Sequence, residues 1–271
     1  MRLLFIGDIV GKAGRDAVKI RLERVRAEHK IDFCVANGEN IAHGFGITAK
    51  TACELFSAGV DLLTGGNHSW DKKEVIALME SKPIIRPLNF PSGAAGKGIW
   101  IARIGGQNAA IINLMGFHNM GVIDNPFRAI LTALETLKND GIKHIAIDFH
   151  CETTAEKNAL LKLLEGKVGA IAGTHTHVGT DDLLIARGTG YVSDIGLCGV
   201  LSEVIGMDSA EPIRRYTTGM KQSFEPAGKG RSIFQAIVFE LNDDGLCADC
   251  YKIKAFDDGE SFISLRHGGG W

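Results

Sequence analysis

Short apolar runs, each closed by glycine or a polar cluster, recur along this chain. Residues 1–7, 33–36, 60–64, 143–149 and 168–172 have the length and composition of buried strands. The first ends at Asp8, the second in Asn37-Gly38-Glu39-Asn40 and the third in Gly65-Gly66-Asn67-His68. The fourth delivers His150-Cys151-Glu152, and the fifth Gly173-Thr174-His175-Thr176-His177. Between them the pattern predicts helices over roughly residues 15–30, from Thr48 onward, over about 128–139 and over about 154–165. Alternating segments predict hairpins at 98–104 with 107–115, at 183–186 with 190–193, and at 232–240 with 247–254 around Asn242-Asp243-Asp244-Gly245. Residues 83–91 are turn-rich, 117–127 form a long loop, and 211–230 are polar and irregular. With no repeat, linker or composition break, one domain over 1–256 is expected, followed by a frayed tail over 257–271.

A hydrophobic fraction of 45% in 271 residues suffices for a large core. Thirty basic against 32 acidic residues, a formal charge of -2, lack the electrostatic footprint of sequence-independent nucleic-acid binding. No stable nucleic-acid partner is expected, and no run has the length of a membrane span. The N-terminal apolar run is too short for a signal peptide, and six scattered cysteines read as free thiols, so the expected location is cytoplasmic. Cys247 and Cys250 lie in an alternating strand, where they fall on opposite faces, which argues against a metal pair.

The strand ends carry the chemistry. In extended conformation the two imidazoles of His175-Thr176-His177 share a face and suit two neighbouring ions. Each donor alone has an ordinary reading: Asp8 as the N-cap of the following helix, a strand-end histidine pair as hydrogen-bonded polar residues. His43, His118, His144 and His267 read as ordinary polar residues, and Arg214, Arg215 and Lys221 as phosphate binders or a solvated loop. Together, Asp8, Glu39, Asn40, Asn67, His68, His150, His175 and His177 form a carboxylate, amide and imidazole set suited to Fe, Mn or Zn. Eight donors exceed one ion with an open position. Two ions about 3.5–4 Å apart, bridged by a carboxylate, would generate a hydroxide between them for in-line attack on phosphorus.

Gly7-Asp8, Gly38-Glu39-Asn40, Gly66-Asn67-His68, His150 and Gly173-Thr174-His175-Thr176-His177 resemble the ordered blocks of the calcineurin-like metallophosphoesterases. Gly-Glu-Asn followed by Gly44-Phe45-Gly46-Ile47-Thr48 resembles the YmdB-like subfamily in particular. The resemblance implies an α/β fold, a four-layer α-β-β-α sandwich of two mixed sheets flanked by helices. It implies a first metal held by Asp8, Glu39, Asn40 and His177, and a second by Asn67, His150 and His175, with Glu39 bridging. His68 would protonate the leaving oxygen or stabilise the phosphoryl group. The broad superfamily begins Gly-Asp-x-His, whereas Val10 stands here, so Asn40 is expected to fill that vacancy. The subfamily implies 2',3'-cyclic nucleotide phosphodiesterase activity, two divalent or mixed-valence ions with iron foremost, and regulatory effects in bacteria. The partner is then a small phosphodiester or nucleotide, with homo-oligomerisation left open. The alternative is a regulatory nucleotide-binding module acting through a protein partner, with slow turnover. A metallo-β-lactamase would want H-x-H-x-D-H, but Val178-Gly179-Thr180 follow His177.

Overall fold

The computed structural model describes residues 1–265; His267 and the glycine run of the tail lie outside the described residues. The chain opens with β1 (Arg2–Ile6), β2 (Asp8–Ile9), α1 (Gly11–His29), β3 (Phe33–Asn37), α2 (Ala49–Ser57), β4 (Leu62–Thr64) and α3 (Val75–Ser81). It continues through β5 (Ile99–Ile104), β6 (Gln107–Met115), α4 (Pro126–Asn139), β7 (His144–His150), α5 (Thr154–Leu164) and β8 (Ala170–Thr174). Then come β9 (Leu184–Ala186), β10 (Thr189–Val192), β11 (Leu197–Val200), α6 (Ala210–Thr218), β12 (Ser232–Leu241), β13 (Cys247–Phe256) and β14 (Ser261–Leu265).

Two mixed sheets result. The first has the order β14-β13-β12-β1-β3-β4, with β11 joined to β12 and β2; the second runs β5-β6-β7-β8-β10-β9. Within them β1, β3 and β4 are parallel, as are β6, β7 and β8, because helical crossovers return the chain to the same edge. Alternation assigns the faces. Leu3, Phe5, Val35 and Leu62 of the first sheet meet Ala109, Ile111, Ala146, Ala170 and Ala172 of the second in an inter-sheet core. Leu4, Ile6, Cys34 and Ala36 turn the other way, onto Val18 and Leu22 of α1 and Leu55 of α2. On the far side, Ile145, Ile147 and Ile171 pack with Ile130 and Leu137 of α4 and Leu160 of α5. The four layers are therefore helix, sheet, sheet, helix, as the resemblance implies. Among the described residues, no helix is long and apolar enough to cross a membrane.

Several boundaries differ from the sequence reading. Helix α1 starts at Gly11 and α4 at Pro126, where the Asn125 side chain accepts from the amides of Phe127 and Arg128. The short α3 was not predicted, and α6 occupies part of the stretch read as irregular. Strand β14 pairs antiparallel with β13 where a frayed tail was expected. Cys247 and Cys250 are both buried in the inter-sheet core rather than on opposite faces, because the register slips beside Glu240 and Leu241 and makes Ala248 an extra residue.

Candidate metal centre

All five donor-bearing segments leave the carboxyl ends of strands. Asp8 follows β1, Glu39 and Asn40 follow β3, Asn67 and His68 follow β4, His150 ends β7, and His175 and His177 follow β8. Because these strands run parallel within each sheet and the sheets stack, the ends converge on one edge. All eight sequence-predicted residues meet there.

Contacts group the donors into two sides that share Glu39, with Asp8 Oδ1 between them at 3.8 Å from His150 Nδ1. On one side, His177 Nε2 lies 3.7 Å from Asp8 Oδ1 and 3.3 Å from Asn40 Nδ2, which lies 3.4 Å from Glu39 Oε1. On the other, His150 Nε2 is 3.1 Å from Glu39 Oε1, 3.0 Å from Asn67 Oδ1 and 3.0 Å from His175 Nδ1. Glu39, His150 and His175 each offer a ligand atom, all within 4.8 Å of one another. Asp8 is fully buried, and its Oδ1 has no hydrogen-bond donor. A buried carboxylate oxygen with imidazoles around it and no donor fits a cation, so the donor set suits the metals that the resemblance implies. Gly66 belongs to the same fit: a Cβ there would stand 2.3 Å from Glu39 Oε2 and 2.4 Å from His150 Nε2, so only glycine lets this backbone approach the centre.

Charge is distributed unevenly over the cluster. Burial would raise the Glu39 carboxyl, but His150 beside it prevails and holds it down at about 2. Burial likewise opposes charge on His150, yet Glu39, Asp8 and Asp148 lift its pKa to about 9. His175 is driven down to about 3 by burial and by the neighbouring His150. Asp8 is raised, with burial outweighing its two histidines. The carboxylates around His150 thus favour positive charge at its position, which is where a cation would be held.

The histidine loop departs from the extended geometry read from the sequence. Strand β8 stops at Thr174, and His175 and His177 take φ of 98° and 63°, left-handed values that L residues seldom adopt. Their rings are brought together by a loop rather than by the alternation of a strand. The backbone is pinned from outside: the His175 amide donates to Asp8 Oδ2 at 3.1 Å and that of Thr176 to Asp194 Oδ2 at 3.1 Å. His177 Nδ1 lies 2.8 Å from the Ile205 carbonyl, and His175 Nε2 lies 3.0 Å from Glu152 Oε2.

His68 stands apart from the ligand atoms. Its amide donates to Glu39 Oε2 at 2.9 Å, its Nδ1 lies 2.8 Å from Asp71 Oδ2, and its ring packs edge-on to Phe45. Asp71, three residues on within the same turn, was not singled out from sequence. Nor was the polar row beneath the centre, although the period-two pattern contains it. Asn37, Thr64, Asp148 and Thr174 continue the inter-sheet rows of Val35, Leu62, Ala146 and Ala172 by two residues each. Asp148 accepts from Thr174 Oγ1 at 2.7 Å, from Thr64 Oγ1, and from Asn37 Nδ2 at 3.4 Å. Thr174 Oγ1 also lies 3.0 Å from His150 Nδ1, so this row orients the imidazole from below. His118 and His144 remain outside the cluster; His144 Nε2 instead meets the Asn242 carbonyl at 2.9 Å.

Comparison with known proteins identifies the family and the fold. The family described as YmdB-like protein matches residues 4–253. A Bacillus subtilis (strain 168) relative named 2',3'-cyclic-nucleotide 2'-phosphodiesterase is 40% identical over 246 residues, covering 90% of this chain and 92% of the relative. The crystal structure of a novel phosphatase from Mycoplasma pneumoniae superposes with a TM-score of 0.88 at 31% identity, over 98% of this chain and 94% of that one. A 5'-nucleotidase precursor from Thermus thermophilus matches at a TM-score of 0.54 and 13% identity, over 98% of this chain and 54% of that one, a likeness of fold alone.

Proposed function

As this chain belongs to the YmdB-like family of metallophosphoesterase hydrolases, we propose that it is a dinuclear phosphodiesterase acting on 2',3'-cyclic nucleotides. The observation that carries the reading is the donor partition around Glu39, with the unpartnered Asp8 Oδ1 on one side and three nitrogen- or oxygen-bearing side chains on the other. Asp8, Glu39, Asn40 and His177 would hold one ion and Asn67, His150 and His175 the other, with Glu39 shared; the Asn40 oxygen reaches the Nδ2 position by an amide flip. Iron is proposed first, with manganese or zinc as alternatives for the same hard donor set. The bound ions would supply Lewis-acid stabilisation of phosphoryl charge and a water of lowered pKa.

The chain's own residues do the rest. His68, held through Nδ1 by the Asp71 carboxylate, presents Nε2 as the nitrogen that exchanges a proton. Water attacks phosphorus and gives up a proton to solvent, the bond from phosphorus to the 2' oxygen breaks, and that oxygen takes a proton from His68, which regains one from solvent, leaving a nucleoside 3'-phosphate. Asp71 stabilises the charged imidazole before the transfer. A cytoplasmic setting is proposed with this activity, on the six cysteine thiols.

The test is hydrolysis of bis-p-nitrophenyl phosphate and 2',3'-cyclic AMP by protein of measured metal content, beside His68→Ala. Two ions per chain, with turnover reduced about 10²- to 10⁴-fold in the variant and metal retained, is the expected result. Two ions without turnover of either compound would favour a regulatory nucleotide-binding module instead. Absence of metal from every preparation would refute the dinuclear centre.

A further inference from the structure

The cavity onto which Glu39, Asn40, His68, His175 and His177 open is far larger than a phosphate. It encloses about 870 Å³, within the range of pockets that take a whole small-molecule ligand. Its lip is aromatic and cationic: Phe45 comes from the β3–α2 loop, Arg215 and Tyr216 from α6, and Lys221 and Phe224 from the segment that follows. Tyr216 is 83% exposed although it lines the cavity, and the Arg215 guanidinium lies 5.5 Å from the centre of the Phe224 ring. That stacking holds the guanidinium as a second planar surface.

This lip is tied to the metal centre. The contact of His177 Nδ1 with the Ile205 carbonyl joins it to one ligand, and backbone bridges from Met207 to Val204 and to Pro226 bracket α6 on both sides. Phe45 packs on His68, so the other wall is tied to the proposed proton donor. Planar groups therefore line the same cavity as the residues that would hold the phosphate.

We propose that Tyr216 and Arg215, together with Phe45, form a platform for the base of a nucleoside phosphodiester. The proposal rests on the phosphodiesterase reading and adds which part of the substrate, beyond the reacting phosphate, is recognised. A second phosphate is the less suitable occupant, because the Glu152 carboxylate lines the same cavity as the two cations. Stacking reads the π-face that every base has, so the platform favours nucleosides over base-free esters with only modest preference among bases.

The experiment compares kcat/KM for 2',3'-cyclic AMP with that for glycerol 1,2-cyclic phosphate, which has the strained diester but no base. Metal-loaded wild-type protein is expected to prefer the nucleotide at least about tenfold, the lower part of the range for one stacked base. Tyr216→Ala is expected to raise KM for 2',3'-cyclic AMP about tenfold with kcat little changed, lowering that preference by the same factor, while Tyr216→Phe restores it. Equal turnover of the two diesters by wild type, or an equal loss on both in Tyr216→Ala, would overturn the platform. Were neither diester hydrolysed, the phosphodiesterase reading would fail, and the platform would be judged on adenosine 3'-monophosphate binding by calorimetry. Binding about tenfold weaker in Tyr216→Ala would then support it, and unchanged binding would overturn it.

Discussion

Lys157→Met tests what holds the histidine loop in its left-handed conformation. The Lys157 side chain is 2% exposed, and its ammonium donates to Asp194 Oδ2 and to the Thr174 carbonyl, each at 3.0 Å. Asp194 in turn accepts from the Thr176 amide at 3.1 Å, the Thr176 hydroxyl at 2.8 Å and the Gly196 amide at 2.8 Å. One buried ion pair thus joins α5, the loop carrying His175 and His177, and the turn before β11. Methionine keeps the unbranched packing and removes only the charge and its hydrogen bonds. Breaking a buried pair costs about 3–5 kcal/mol, because the remaining carboxylate is left uncompensated. Asp194 keeps its other three donors, so the lower end applies, about 3 kcal/mol, or a fall in Tm of about 6–12 °C for a chain of this size. Circular dichroism melts in EDTA isolate this cost from metal linkage, and metal content of the untreated protein reports on the loop. Lys157→Met/Asp194→Asn should regain at least about 1 kcal/mol over the single variant, since the stranded charge is gone while amide hydrogen bonds remain. A single-variant loss under about 1 kcal/mol, or a double variant no more stable than the single, would refute the role given to the pair.

Gly66→Ala places a methyl group against Glu39 and His150, so the purified protein should carry less than one ion per chain by elemental analysis and lose phosphodiesterase activity by about 10²-fold or more. Glu152→Gln weakens the acceptor on His175 Nε2, and should weaken metal binding about tenfold in chelator competition while leaving the fold unchanged by circular dichroism. Lys252, buried with its ammonium on the Thr180 and Asp194 carbonyls, is pushed by burial from 10.5 down to about 8. A base whose folded pKa lies below its unfolded value destabilises the protein fully below the folded pKa and is relieved as pH rises toward the unfolded one. Wild type should therefore gain up to about 3 kcal/mol relative to Lys252→Met between pH 8 and 10.5, read by urea unfolding, and a flat difference would contradict the shift.

The donors were legible because parallel strands converge at their carboxyl ends, and a short apolar run ending in Asp, Glu, Asn or His shows in one dimension which residues will meet. What escaped depends on contacts between distant segments. The left-handed His175 and His177 are held by the Asp8 and Asp194 carboxylates, which lie 167 and 18 positions from the amides they accept. No local preference marks that loop, so the sequence suggested a strand. Cys247 and Cys250 misled for a related reason: one extra residue, Ala248, breaks the period of two and turns both inward. Helix α6 was hidden because its apolar residues do not enter the core; Pro212 alone is buried, and Ile213 and Tyr216 are exposed. The helix is short and mostly polar, so its few apolar residues form no core-facing run, and its side chains are free for another use.

The polar row of Asn37, Thr64, Asp148 and Thr174 was within reach, since counting by two from Val35, Leu62, Ala146 and Ala172 lands on it. These positions belong to the inter-sheet core by geometry and to the metal centre by chemistry. Burial raises the Asp148 carboxyl to about 6, yet two hydroxyls, an amide and the nearby His150 engage it. An apolar residue there would continue the core as packing alone prefers, but would take the acceptor carboxylate from the Thr174 hydroxyl, which itself meets His150 Nδ1. The inter-sheet core thus stops one residue pair short of the strand ends because the imidazole that ends β7 must be held from below. The point where hydrophobic alternation fails along β3, β4, β7 and β8 therefore marks the floor of the site, and the donors beyond it mark its walls.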